Sequence, residues 1–227
     1  MTNRHWWIGA AVAVIIGALA ASAPAVLTIN PTPFYTHSQT GDLFSMRGLA
    51  LAKDLSGDVY YGHIQGADDG VLSTGDRHIV RLSGTPAILN TTVFSIQPKA
   101  LETDGRGNVY AGGYQNGQPG VYIYDRTLTT SSFFPVAQAD EIDGLAARTV
   151  NNTVFLYVSN RNDWNAGKSF VRQYDVTNVA APAATGWERT LATTGLRGIA
   201  VNSATGEVWA TARTTFITYD SDRKSTR

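Results

Sequence analysis

Arg47, Lys99, Asp143 and Arg197 each stand directly before a short apolar run of one kind: "GLALA", "ALET", "GLAA" and "GIAV". Three cations and one carboxylate at equivalent positions suit the oxygens of a carboxylate or phosphate. A guanidinium fork donates parallel hydrogen bonds and an ammonium supplies a compact charge. A sugar-like, polyhydroxylated ligand is served by the same set. The same residues also fit a structural role, in which the cations pair with Asp143 or hold carbonyls between neighbouring units. Trp164, within "SNRNDWNAGKSF", is a further candidate. An aromatic ring among Asn and Asp either stacks on a sugar, anchors a partner, or folds back on its own unit. Trp187 and Trp209 lie inside strand-like runs and read as packing.

These residues need a frame, and the frame is a repeat. The segments "RGLALAKDLSGDVYYGHI" (47–64), "KALETDGRGNVYAGGY" (99–114), "DGLAARTVNNTVFLYVSN" (143–160) and "RGIAVNSATGEVWAT" (197–211) share one order: apolar strand a, tight polar turn, alternating aromatic strand b. Aligning Gly48, Ala100, Gly144 and Gly198 gives steps of 52, 44 and 54 residues, within the range of propeller and solenoid repeats. A third strand c follows in each unit ("HIVRLSG", "GVYIYDR", "SFVRQYDV", "TFITYD"), and a fourth segment d at 87–96, 131–137 and 185–192. The expected pairing is antiparallel, strand to next strand, because the turns are short and rich in Gly, Asn and Asp.

Four such strands make a sheet that is apolar on both faces and must be covered by its neighbours. The fold class is therefore all-β, a β-propeller of four-stranded antiparallel blades at about 47–96, 99–137, 143–192 and 197–222, with the last blade lacking its d strand. Two readings of that incomplete blade stand: a truncated chain, or closure of four blades with segment 26–36 of the N-terminal stretch 24–46 as the missing strand. Topology places the residue before each strand a, and each b-to-c loop, at the same end of a blade. The loops 65–77, 115–120 and 161–168 vary in length, as a binding face does.

Address and excluded classes come from the N-terminus and the composition. Arg4 precedes the apolar stretch 6–23, and no charge follows until Asp42. This is the layout of a secretory signal, cleaved after Ala20 or Ala23, or of an uncleaved membrane anchor, with residues 1–23 as the segment concerned. The expected location is secreted, periplasmic or otherwise outside the cytoplasm, with the membrane reached only through that segment. Eighteen basic and eighteen acidic residues cancel, which argues against a nucleic-acid partner. The absence of cysteine excludes disulfides and thiolate chemistry. "ADDG" (67–70) and "DLSGD" (54–58) do not continue into a calcium loop. No metal or other cofactor is expected.

The repeats "GIAVNSATGEVWAT" and "ALETDGRGNVYAGGY" resemble those of NHL-type and gluconolactonase-like propellers, and "FLYVSNRN" with "FVRQYDVTN" is similar to YVTN-type repeats of exported propellers. The likeness spans about residues 47–220 and specifies fold more than function. Gluconolactonase-like enzymes hold a divalent metal with Glu, Asn and Asp side chains at the channel mouth; the matching positions here are mainly cationic, so that site does not carry over. Streptogramin-lyase-like propellers use a His base, and none of His37, His63 or His78 stands before a strand a. The expected function is thus an exported binding or interaction module for a small anionic or sugar-like ligand or a protein partner. The alternative is a lactonase-like hydrolase or lyase whose catalytic residues lie in blades absent from this chain.

Overall fold

The computed structural model describes residues 50–64, 77–83, 88–93, 99–162, 168–191, 195–212 and 215–220, all within the compact unit Ser38–Arg227. The N-terminal apolar stretch, Arg47 and Trp164 lie outside the described residues. The first sheet comprises β1 (Ala50–Lys53), β2 (Val59–Ile64), β3 (Arg77–Leu82) and β4 (Ile88–Val93). The second comprises β5 (Leu101–Thr103), β6 (Val109–Gln115), β7 (Gln118–Tyr124) and β8 (Ser131–Pro135). In the third are β9 (Ile142–Val150), β10 (Thr153–Asn160), β11 (Ser169–Asp175) and β12 (Ala183–Leu191). In the fourth are β13 (Leu196–Val201), β14 (Glu207–Ala212) and β15 (Thr215–Asp220).

Strand order follows chain order in every sheet, and every pairing is antiparallel. The inner strands pack in sequence, β1 on β5, β5 on β9 and β9 on β13. Consecutive meander sheets joined through their first strands are blades arranged about an axis, so the all-β, blade-by-blade expectation holds.

Alternation along each strand explains the stacking. On β6, Tyr110 joins one apolar cluster while Val109 and Ala111 join another. On β10, Val154, Leu156 and Val158 face the second blade and Tyr157 faces the fourth. Both faces are dry: Tyr110, Leu156, Tyr157 and Val158 are fully buried. Each buried aliphatic side chain of this kind contributes roughly 1.5–3 kcal/mol. Phe134 of β8 meets Tyr174 of β11 at 4.9 Å between ring centres, and Trp187 packs edge-on against Tyr157 at 5.5 Å, the packing role its strand position predicts.

The turns between the first two strands of a blade are closed by a side chain. Asp104 Oδ1 accepts from the N–H groups of Arg106 (2.8 Å) and Asn108 (3.0 Å), while Oδ2 accepts from the Tyr110 hydroxyl at 2.7 Å. Asp54 repeats the device with Ser56 (2.8 Å), Asp58 (3.0 Å) and Tyr60 (3.1 Å). Burial first, and then the neighbouring Asp54 carboxylate, push the Tyr60 phenol up to about 12. In the third blade the turn is Asn151–Asn152, with φ of 48° and 65°, left-handed values that Asn tolerates.

One loop departs from its sequence reading. The expected loop 115–120 is a two-residue turn, because Asn116 (φ 52°) and Gly117 (φ 77°) supply the paired positive φ values of a tight hairpin. Gln115 therefore pairs with Gln118, and both strands run further than expected.

Polar bridges join blades at the end carrying the β1–β2 and β5–β6 turns. Arg126, which follows β7, donates to Asp58 at 2.7 Å, and Arg81 donates to the same carboxylate oxygen at 2.6 Å. Burial works against ionisation of Asp58, but these two guanidinium bonds outweigh it and hold the carboxyl below its usual range.

Asp104→Ala is expected to cost about 2–4 kcal/mol in urea unfolding, because it frees two turn N–H groups and strands a buried hydroxyl. Tyr110→Phe, which removes only the hydroxyl, is expected to cost about 1 kcal/mol. Equal losses from the two variants would show that the turn bonds contribute nothing.

Candidate functional site at the mouth of the inner strands

The entry to β9 and the exit of β10 lie side by side. Asn160 Oδ1 accepts from the N–H of Asp140 (2.7 Å) and of Glu141 (3.1 Å), and the Arg161 N–H donates to the Glu141 carbonyl at 2.8 Å. A register shift at Ser159/Asn160 accompanies this junction, as a bulge re-aims the chain at a strand end. The carbonyl of Asn162 then accepts from the Gly195 N–H at 3.0 Å, which ties the start of β13 to the same place. On the other side, the Gly112 N–H donates to the Ala100 carbonyl at 3.0 Å, which sets Lys99 beside the end of β6. The residues before the inner strands and the turn after β6 thus share one end of the blades, as topology requires.

Two glycines allow the close approach. A Cβ on Gly144 would stand 2.6 Å from Ser159 Oγ and 2.7 Å from Ile199 Cγ2 of β13. A Cβ on Gly112 would stand 2.8 Å from Ile142 Cγ2. Any larger residue at either position would move the strands that carry the charges.

Five charged side chains result in one connected set. Lys99 donates to Glu141, whose other oxygen lies 3.1 Å from Arg161 Nη1. Arg161 Nη1 also donates to Asp143 Oδ2 at 2.9 Å, and Arg197 Nη1 lies 3.5 Å from that same oxygen. The Asp143 side chain is 6% exposed and that of Arg197 48%. Asp143 Oδ1 is buried with no hydrogen-bond partner among the described residues. Burial pushes the Asp143 carboxyl above its usual value, the Arg161 bond opposes this, and the Glu141 charge adds to it. Tyr114 donates to the Asp140 carbonyl. Its phenol is raised by burial and by the charges of Glu141, Asp140 and Asp143.

Of the residues expected to form the site, Lys99, Asp143 and Arg197 come together, joined through Glu141 and Arg161. Sequence reasoning passed over those two. Glu141 was signalled by the period of two, which puts it on the side of β9 that carries Asp143; Arg161 was signalled by its place just after strand b. The cations are consequently not a bare positive ring, since each described one faces a carboxylate. Glu102, further along β5, is a separate carboxylate. Burial raises its carboxyl, despite bonds from the Thr103 N–H (2.8 Å) and the Ala147 backbone. No group of acidic or histidine side chains with the geometry of a metal site occurs among the described residues.

No protein-family model matches the sequence, and no curated protein does. Among solved structures, a protein provisionally assigned as a gluconolactonase aligns with a TM-score of 0.50 and 13% identity over 76% of this chain and 57% of its own. A provisionally assigned 6-phosphogluconolactonase from Bacteroides uniformis aligns with a TM-score of 0.50 and 15% identity over 78% and 54%. The chain therefore spans little more than half the length of these two relatives. At this identity the likeness establishes the fold alone: this chain is built as a β-propeller.

Gly144→Ala is expected to destabilise by about 1–3 kcal/mol through overpacking, whereas Gly105→Ala, whose Cβ would meet only Leu55 Cδ1 at 3.4 Å, should stay within about 0.5 kcal/mol. Urea unfolding of the pair decides whether the β9–β13 approach is as tight as described. The raised Asp143 carboxyl makes the folded state hold its proton more firmly than the unfolded state. The resulting stabilisation is complete below the ordinary carboxylate range and is lost as pH rises through the folded-state value. Thermal melts across pH should therefore show a decline just above the ordinary carboxylate range that Asp143→Asn flattens.

Proposed function

We propose that the protein is an exported binding module whose propeller mouth takes a small carboxylate-bearing or sugar-like ligand. One observation carries the reading: Lys99, Arg161 and Arg197 converge on the inner-strand ends, with the Arg197 side chain 48% exposed beside the buried Asp143 carboxylate. An exposed guanidinium on a rigid strand end can present parallel N–H donors to a carboxylate. Export rests on the N-terminal pattern of Arg4 followed by the apolar stretch 6–23.

A second reading is favoured by the fold likeness to the two lactonase-like proteins: a hydrolase opening a sugar lactone with residues supplied by blades beyond those present here. Calorimetric titration of D-glucuronate into the wild type and Arg197→Ala tests the first. Loss of the guanidinium contact should weaken binding by about 1.5–3 kcal/mol with the melting temperature unchanged. A fall in melting temperature with no binding heat in the wild type would assign the cluster a purely structural role. Opening of D-glucono-1,5-lactone above its spontaneous rate by a chain extended with further blades, and not by residues 1–227 alone, would favour the second reading.

A further inference from the structure

We infer that a carboxylate ligand enters the mouth together with a proton, which Asp143 takes from solvent as the ligand replaces it on Arg197 and Arg161. This deepens the binding reading and rests on it. Asp143 uses one oxygen for both arginines, Oδ2 at 2.9 Å from Arg161 Nη1 and 3.5 Å from Arg197 Nη1. Its other oxygen is buried without a hydrogen-bond partner among the described residues. A carboxylate held on one side only has no second set of bonds to fall back on when those donors turn to a ligand.

The surroundings oppose leaving it charged. On its own strand entry stand Glu141 and Asp140; from the exit of β10 come Arg161, and Ser159, whose hydroxyl donates to the Gly144 carbonyl at 3.3 Å. Arg197 faces it from β13, Lys99 from the segment before β5, and Tyr114 from β6. Among the described residues, Asp140, Glu141 and Asp143 balance Lys99, Arg161 and Arg197 in formal charge. A ligand carboxylate is a fourth anion in a site where Asp143 is 6% exposed, and an unpaired buried charge is neutralised in preference to being tolerated. Adding one proton to Asp143 restores the balance. The burial that already raises its carboxyl acts in the same direction. Glu141 retains Lys99 throughout. No bond other than the O–H is made, and the buffer is the proton donor.

The test is calorimetry of D-glucuronate binding to the full chain in buffers of different ionisation enthalpy, with Asp143→Asn alongside. The expected result is net uptake approaching one proton in the wild type and none in the variant. Affinity in the wild type should fall as pH rises above the ordinary carboxylate range, by up to about tenfold per pH unit, and stay level in the variant. Should Asp143→Asn fail to fold, the carbon-13 shift of the Asp143 carboxyl in the wild type replaces it, and should move from the ionised to the protonated value on adding D-glucuronate. Binding without proton uptake, or uptake that persists in a folded Asp143→Asn, overturns the inference and leaves the binding reading intact. No binding of D-glucuronate at all removes both.

Discussion

The two middle blades depend on burial on both of their faces. A meander sheet whose odd and even residues are equally apolar has no solvent side, so it is stable only when a sheet stands on each side of it. The second and third blades meet this requirement directly: Tyr110 and Leu156 look into one shared cluster, while Val109 and Tyr157 look outward into the next. Stability is therefore a property of interfaces between blades, and the strands at the axis, closest to one another, are held most firmly.

That frame determines where charges can be kept. Inner strands pressed together at glycine contacts leave their ends little freedom, and side chains just before those ends inherit the rigidity. Asp143, Glu141, Arg161 and Arg197 are brought together by the Asn160 side-chain oxygen and the Asn162 backbone carbonyl, before any electrostatic attraction acts. Attraction then adds more than it would in a mobile surface pair, where ordering two long side chains offsets most of the gain.

The two ends of the blades differ in chemistry. At the turn end the carboxylates are fully used: Asp54 and Asp104 close turns and accept from tyrosine hydroxyls, and Asp58 is bound by two arginines from different blades. Such groups are locked and contribute to the fold. At the mouth, Asp143 Oδ1 is buried with no hydrogen-bond partner among the described residues, and Arg197 stands half in solvent.

Much of this was legible in the chain. Alternation in "NVYAGGY" and "TVFLYVSN" announces strands buried on both sides, Gly and Asn between them announce the turns, and the four-fold recurrence announces blades, because these depend on residues near one another in sequence. Even the tight turn at Asn116–Gly117 was encoded, although the expected loop was longer. The positions of Lys99, Asp143 and Arg197 at one end also followed from topology alone. What tertiary structure decided was the pairing: that Glu141 and Arg161 stand between those residues, that Lys99 meets Glu141 in place of Asp143, and that Asp143 Oδ1 has no partner among the described residues. Those outcomes turn on ångström-scale distances between strands of different blades, set by packing at Gly112 and Gly144, and no spacing along the chain reports how closely two separate strands approach in space.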